Sequence, residues 1–298
     1  MIGDSKTRHC FLWLLLVCLA AGRHEVERKS GRHGHHSHGR TVHMRSLNNS
    51  EEQVEIGDVV APRNLSPWQV SIQDGAKNHK CSGAIIGKNW VITTAYCLSR
   101  ADLNKYRIVV GTQTLGAVSR FLKSYSIEYA IVHPHFDKPK KSNDIALIFT
   151  ERSIQFNIQV KAIDLQGSPL PRDSLVMHTG WSWRKGEDKN KMRAVYHRVI
   201  PYKICLTHFD KKIRNPIEPG HLCLNVPKDS DFCLKETGGL LVHNRRLAGL
   251  SSFGTPCATG EPFIGTRISF YFDFIRTTMK GCIRCEKNTH FEERFFDL

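Results

Sequence analysis

Residues 231–241, DFCLKETGGLL, combine residue types that can carry out nucleophilic chemistry. Three positions after a cysteine comes Glu236, followed by the hydroxyl residue Thr237, two glycines and an apolar run. A threonine hydroxyl is a weak nucleophile unless a neighbouring base takes its proton. The chemistry of this segment therefore depends on whether the rest of the chain supplies such a base.

Short apolar stretches separated by turn residues fill the chain from about Glu55 onwards, and this pattern predicts an all-β barrel or sandwich. Near the end, apolar residues recur at helical spacing from Ile268 to Met279, which predicts a C-terminal α-helix with Gly281 as its C-cap. The predicted strands and the predicted helix are therefore the elements that would position Thr237.

Six segments occur in the order typical of chymotrypsin-fold (trypsin-like) serine proteases, and together they resemble that family over residues 55–280. They are SPWQVSIQ (66–73), CSGAIIGKNWVITTAYC (81–97), IVHPHFDKPKKSNDIALI (131–148), TGWSW (179–183), DFCLKETGGLL (231–241) and LSSFGTPC (250–257). The resemblance implies two six-stranded antiparallel β-barrels with the active site between them.

The family's catalytic triad is degenerate in this chain. The resemblance assigns Asp144 to the aspartate that orients a histidine, but Tyr96 stands in place of the histidine and Thr237 in place of the serine. A tyrosine with an unperturbed pKa near ~10 is a poor general base at neutral pH. Because the effects of losing triad members are not additive, one loss already removes most of the catalysis. We therefore expect no catalytic residue to be active.

Two further parts of the catalytic machinery also depart from the family. The resemblance assigns an oxyanion-hole amide to Lys235, where the family has glycine, and a lysine disfavours glycine-only backbone conformations. The activation site reads Val54-Glu55-Ile56-Gly57-Asp58, without a basic residue to cleave after. Glu236 would then lack the new amino terminus that pairs with the corresponding acid in the family.

The specificity pocket contains contradictory features. The resemblance assigns four residues to it: Asp231, Ser252, Gly254 and Phe263. Asp231 is the acid that selects basic side chains in trypsin-like enzymes, whereas Phe263 stands where the pocket wall has glycine. We expect the phenyl ring to fill the pocket and Asp231 to bond to neighbouring groups rather than to a substrate.

Cysteine usage agrees with the resemblance, which implies three disulfides: Cys81–Cys97, Cys205–Cys223 and Cys233–Cys257. Val176 and His243 replace both partners of a fourth. We expect Cys282 and Cys285 to bridge each other or to pair with another chain. A C-x-x-C redox site is the third interpretation.

The N-terminus predicts secretion. Lys6 and Arg8 precede an apolar run over residues 11–21, and small residues follow, so residues 1–22 are expected to be a signal peptide. Disulfides and two glycosylation sequons, at Asn48 and Asn64, suit that compartment. No later segment is long and apolar enough for a membrane span.

Residues 23–54 are expected to be disordered, because a segment so rich in histidine and arginine cannot bury enough apolar surface to order itself. Four histidines in it are weak candidates for binding zinc or copper: His33, His35, His36 and His38. A plain basic, pH-sensitive tail is the alternative, and we expect no metal and no cofactor. Residues 281–298 form a C-terminal tail.

The formal net charge of the 298-residue chain is +15. For a secreted protein, this favours a heparin-like glycosaminoglycan over nucleic acid as a polyanionic partner. The run KPKK (138–141) is one of the basic runs that would form the surface for such a partner. The alternative is a set of scattered lysines that keep the protein soluble. The sequence thus predicts a secreted protease homologue, a pseudoprotease, that binds a protein partner or a polyanion without cleaving. The alternative is a weak serine-type endopeptidase that uses Thr237 with an unconventional base.

Overall fold

The computed structural model describes residues 59–62, 64–99, 102–181, 188–209, 217–226, 237–254 and 262–283. The chain divides into two units, residues 1–52 and Gln53–Leu298, and all described residues lie in the second. Among the described residues, no helix is long and apolar enough to cross a membrane. The signal peptide, the histidine-rich segment and the C-terminal tail beyond Ile283 lie outside the described residues.

The described elements are mainly short strands. In chain order they are β1 (Val59–Val60), β2 (Gln69–Gln73), β3 (His79–Ile85), β4 (Trp90–Thr93), α1 (Ala95–Leu98), β5 (Arg107–Val110), β6 (Lys123–Val132), β7 (Ala146–Thr150), β8 (Asp164–Leu165), β9 (Leu175–Gly180), β10 (Arg193–Arg198), α2 (Tyr202–Phe209), β11 (His221–Leu224), β12 (Leu240–His243), β13 (Arg246–Gly254), β14 (Phe263–Arg267) and α3 (Phe272–Ile283). Two 3₁₀ turns, Leu103–Lys105 and Ile268–Phe270, complete them.

Six antiparallel strands form a closed barrel in the order β2-β3-β4-β7-β6-β5. Strand β2 illustrates how its sequence places it there, because alternate side chains point to opposite faces of a strand. Val70 and Ile72 pack into the barrel core, whereas Gln69 donates a hydrogen bond to Ser82 on β3 and accepts one from Thr179 on β9. This buried polar network joins the first barrel to the second sheet.

The second half is a sheet in the order β1-β10-β9-β12-β13-β14-β11. Its six strands from β10 to β11 close through a single bridge between Val199, just after β10, and Leu224 on β11. The two-barrel prediction is thus confirmed, with a full barrel and a second one that closes at one point rather than along a ladder. The short strand β8 pairs with β13 in parallel, a departure from the antiparallel rule.

The C-terminal helix is also confirmed, but its predicted end is wrong. Helix α3 runs from Phe272 to Ile283 and contains Gly281, which the sequence indicated as the C-cap. A glycine inside a helix costs only about 1 kcal/mol relative to alanine, so the helix continues through it. Ile275 anchors the helix in the core.

Two predicted disulfides are present. Cys81–Cys97 ties β3 to α1, and Cys205–Cys223 ties α2 to β11. Cys233, Cys257 and Cys285 lie outside the described residues, as does the side chain of Cys282. At the position of the missing family disulfide, Val176 is buried, and the Nδ1 of His243 donates a hydrogen bond to the carbonyl of Leu175, 2.8 Å away.

Candidate functional site

Asp144 lies just before β7, where the two halves of the protein meet. It is almost completely buried, and its carboxylate accepts hydrogen bonds from the backbone N–H of Tyr96, at 2.7 Å, and from the hydroxyl of Ser252. Burial raises the pKa of Asp144 above its usual range, and these two hydrogen bonds oppose that rise. Ser252, which the sequence placed in the specificity pocket, therefore supports the triad carboxylate.

Tyr96 lies in α1 with its side chain about 40% exposed. Asp144 bonds the backbone of Tyr96, and within the described residues the phenol forms no hydrogen bond with Asp144 or with Thr237. The aspartate therefore holds the chain at this position, as an aspartate of a triad would, but orients no side chain for proton transfer.

A lysine that the sequence grouped only as part of a basic run covers the Tyr96 ring. The Nζ atom of Lys141 lies 3.0 Å from the ring centroid, and the Nζ of Lys138 lies 6.0 Å from it. Such cation–π contacts are favourable, and more so when the cation is partly desolvated. Burial lowers the pKa of Lys141, and the nearby Asp144 opposes this effect.

The loop that carries Lys141 is fixed by contacts with other elements. Ser142 donates a 2.6 Å hydrogen bond to Glu218, and the side chain of Asn143 donates one to the carbonyl of His135. The ring of His221 donates to the Lys141 carbonyl at 3.3 Å. Lys141 and Asn143 both have left-handed backbone angles, with φ of 56° and 53°, and these contacts stabilise that conformation.

The backbone around Thr237 is positioned by β3 and β13. The carbonyl of Thr237 accepts a hydrogen bond from the backbone N–H of Ser82, and the N–H of Gly238 donates to the carbonyl of Ser251. Gly238 has φ of 85°, and a Cβ on it would lie 2.2 Å from the Ser82 carbonyl oxygen. Only glycine fits there. Thr237 itself is half-buried.

Phe263, on β14, is buried with its ring against two histidines. Its centroid lies 4.7 Å from that of His197 and 5.6 Å from that of His178. Burial lowers the pKa of His178 to about 3 and that of His197 to about 4, so both are neutral at physiological pH. The sequence did not single out these histidines, and the alternation of β9 and β10 was the only available signal for their burial.

Other predicted site residues fall partly outside the described part of the chain. Asp231, Lys235 and Glu236 belong to residues 227–236, which are not described, whereas Gly254 ends β13. Asn64 is exposed, as a glycosylated asparagine would have to be. Asn48, His33, His35, His36 and His38 also lie outside. In the described ranges, no three histidine, cysteine or acidic residues converge as a metal site would require.

A recess of about 440 Å³ is lined by residues other than those of the triad. Its lining includes Asn64, Gln113, Arg120, Lys191 and Met192. It therefore lies apart from the candidate site, beside the exposed Asn64 sequon.

Comparisons with known proteins agree with this architecture. A profile of the trypsin family matches residues 55–275. Trypsin-4 of Rattus norvegicus is 27% identical over 233 residues, which cover 78% of this chain and 92% of that protein. The atrial natriuretic peptide-converting enzyme of the same species is 28% identical over 223 residues, which cover 70% of this chain but 20% of that enzyme.

A solved structure leads to the same family. Neuropsin, a serine protease expressed in the limbic system of mouse brain, matches with a TM-score of 0.66 and 25% sequence identity. The match covers 74% of this chain and 98% of that one. The strand arrangement is thus similar over nearly the whole of that protease domain.

Proposed function

Because the chain belongs to the trypsin family of serine proteases, we propose that it is a secreted, catalytically inactive member that acts by binding a protein partner. The observation that carries this proposal is the contact between Asp144 and Tyr96. The carboxylate bonds the Tyr96 backbone, while the Tyr96 ring lies beneath the ammonium of Lys141. Within the described residues, no hydrogen bond joins an imidazole to Thr237.

The chemistry at Thr237 supports the same proposal. In this family, acyl transfer requires a base within hydrogen-bond reach of the nucleophile and a donor pair for the oxyanion. Thr237 retains a hydroxyl, but within the described residues it has no hydrogen bond to a base. The scaffold is thus retained while proton transfer is lost.

Secretion is part of the proposal and rests on the N-terminal segment and on the disulfides. Cys81–Cys97 and Cys205–Cys223 are both formed, and stable disulfides are typical of oxidising compartments. The sequence of residues 1–22 has the arrangement of a signal peptide. A protein in that compartment meets other secreted proteins and cell-surface polyanions, and we expect its partner among the proteins.

One observation favours the alternative of a weak endopeptidase. Lysine can act as a general base when burial lowers its pKa, and the pKa of Lys141 is lowered in this way. However, within the described residues no hydrogen bond joins Lys141 to Thr237, and its Nζ lies on the Tyr96 ring. The variant Lys141→Ala separates the two proposals, because it would abolish lysine-dependent cleavage.

A peptidase assay on pure secreted protein tests the proposal. We expect no cleavage of a peptide library or of arginyl and lysyl substrates by the wild type, and none by Thr237→Ser, because the base is still missing. Cleavage that disappears in both Thr237→Ala and Lys141→Ala would overturn the proposal in favour of the weak endopeptidase. Affinity capture from the native secretory fluid, read by mass spectrometry, then identifies the partner.

A further inference from the structure

Two lysines and an aromatic ring form a basic face at the former catalytic cleft. We call Tyr96, Lys138 and Lys141 the basic cleft face. The Nζ atoms of both lysines lie within 6.0 Å of the Tyr96 ring centroid, and Lys141 is in direct contact with the ring. Both lysine side chains are half-buried, so their charges are only partly solvated.

Among the described residues, the charges of the basic cleft face are incompletely balanced. In the part of the chain that the structure describes, neither lysine forms a salt bridge. Of the nearby acids, Asp137 pairs with Lys140 at 3.3 Å and Glu218 accepts the hydroxyl of Ser142. Asp144 attracts Lys141 at longer range, but its carboxylate is buried and already accepts two hydrogen bonds.

The loop backbone that carries Lys141 is fixed by contacts with other elements. His221, Glu218 and His135 bond the Lys141 carbonyl and the side chains of Ser142 and Asn143, which sets where the Lys141 side chain starts. Binding to a lysine on a fixed backbone loses less conformational entropy than binding to a lysine on a mobile loop. A carboxylate that binds beside the Tyr96 ring would gain charge-assisted hydrogen bonds from these ammonium groups in a partly desolvated site.

We propose that the basic cleft face binds an acidic protein segment in which aspartate or glutamate residues are adjacent. This inference rests on the proposed non-catalytic function, because the segment must remain uncut. It names the class of partner: a protein with an exposed acidic stretch, whose carboxylates contact Lys138 and Lys141 while an apolar neighbour contacts the Tyr96 ring.

The geometry favours a peptide over a sulfated glycan. A glycosaminoglycan binds along an extended row of exposed cations, whereas here two half-buried ammonium groups converge on one aromatic ring. A planar carboxylate on a short side chain can accept hydrogen bonds from such groups, and an aromatic ring beside it suits a peptide's apolar residue.

Fluorescence anisotropy with a short labelled peptide of consecutive aspartates and glutamates tests the inference. We expect the full-length secreted protein to bind it at least about ten-fold more tightly than the matched asparagine–glutamine peptide. Lys141→Met and Lys138→Met should each weaken binding by about ten-fold, whereas Lys141→Arg should retain it. Lys161→Met, the same change at an exposed lysine of the first barrel, is the control and should bind normally.

Several outcomes would overturn the inference. They are equal affinity for the acidic and amide peptides, unchanged binding by Lys141→Met with an unchanged melting temperature, or loss of heparin retention in that variant without loss of peptide binding. Recovery of the peptide is followed by mass spectrometry in the same samples. Cleavage of the peptide would contradict the proposed function. If the peptide stays intact and binds Lys141→Met as tightly as the wild type, only this inference is contradicted.

Discussion

The hydroxyl of Ser252 donates a hydrogen bond to the carboxylate of Asp144, although the two residues are 108 positions apart in the sequence. This bond joins β13 of the second barrel to the start of β7 in the first. Asp144 therefore has a structural role that is independent of proton transfer. A carboxylate fixed in this way can persist after the catalytic base has been replaced.

Replacing Asp144 with alanine should destabilise the protein, whether or not any catalysis depends on it. The change leaves the buried Ser252 hydroxyl and the Tyr96 N–H without their acceptor, which costs about 1–3 kcal/mol for each group left unsatisfied. Urea unfolding measures the loss. Asp164→Ala, at an exposed position on β8, is the control and should change stability by less than about 0.5 kcal/mol. Equal stability of both variants would refute the structural role.

Phe263 should block the specificity pocket, so we expect that benzamidine does not bind the wild-type protein. Phe263→Gly should open the space and restore weak binding without catalysis, as measured by calorimetry. Phe263→Ala should destabilise the protein by about 3–5 kcal/mol because the ring is fully buried. Phe156→Ala, at an exposed phenylalanine, is the matched control. Tight benzamidine binding by the wild type would contradict the blocked pocket.

Stability should fall as the pH is lowered from neutral. The pKa values of His178 and His197 in the folded state are about 3 and about 4, below the usual 6.5, so the unfolded chain takes up these protons first. The contribution of the two neutral histidines to the free energy of unfolding is therefore fully present above pH 6.5 and is lost as the pH falls towards pH 4. The loss is at most roughly 2–3 kcal/mol per pH unit, because two protons are involved. Asp144 opposes this trend, because its raised pKa lets the folded state gain a proton earlier as the pH falls.

Denaturant unfolding at neutral pH and at roughly pH 5 checks the histidine account. Replacing both His178 and His197 with leucine should flatten the pH dependence, whatever it does to stability at neutral pH. His135→Gln changes an exposed histidine that neighbours the half-buried His133, and it should change the slope much less than the double replacement does. An unchanged slope in the double variant would assign the pH dependence to other groups.

Much of the fold could be predicted from the sequence. Short apolar stretches between turn residues indicated an all-β barrel or sandwich, and the six segments in order implied paired barrels through their resemblance to the protease family. The pairs Cys81–Cys97 and Cys205–Cys223 and the C-terminal helix were also confirmed. Long-range contacts between side chains could not be predicted from the sequence. The hydroxyl of Ser252 bonds a residue far away in the chain, and no local pattern indicates this.

Lys141 illustrates the same limit more clearly. The run KPKK predicted only a basic surface, because its position over Tyr96 depends on left-handed backbone angles and on contacts with His221 and Glu218. Burial of His178 was likewise hidden, since histidine is more often found at the surface or half-buried than fully buried. Such contacts depend on tertiary structure rather than on local propensity.

The central claim is the absence of an activated nucleophile at Thr237, and labelling with a serine-reactive phosphonate probe tests it most directly. Intact-mass spectrometry of the pure secreted protein should detect no adduct on the wild type or on Thr237→Ser, while an active trypsin treated in parallel is fully labelled. A stoichiometric adduct on the wild type that is lost in Thr237→Ala would contradict the account.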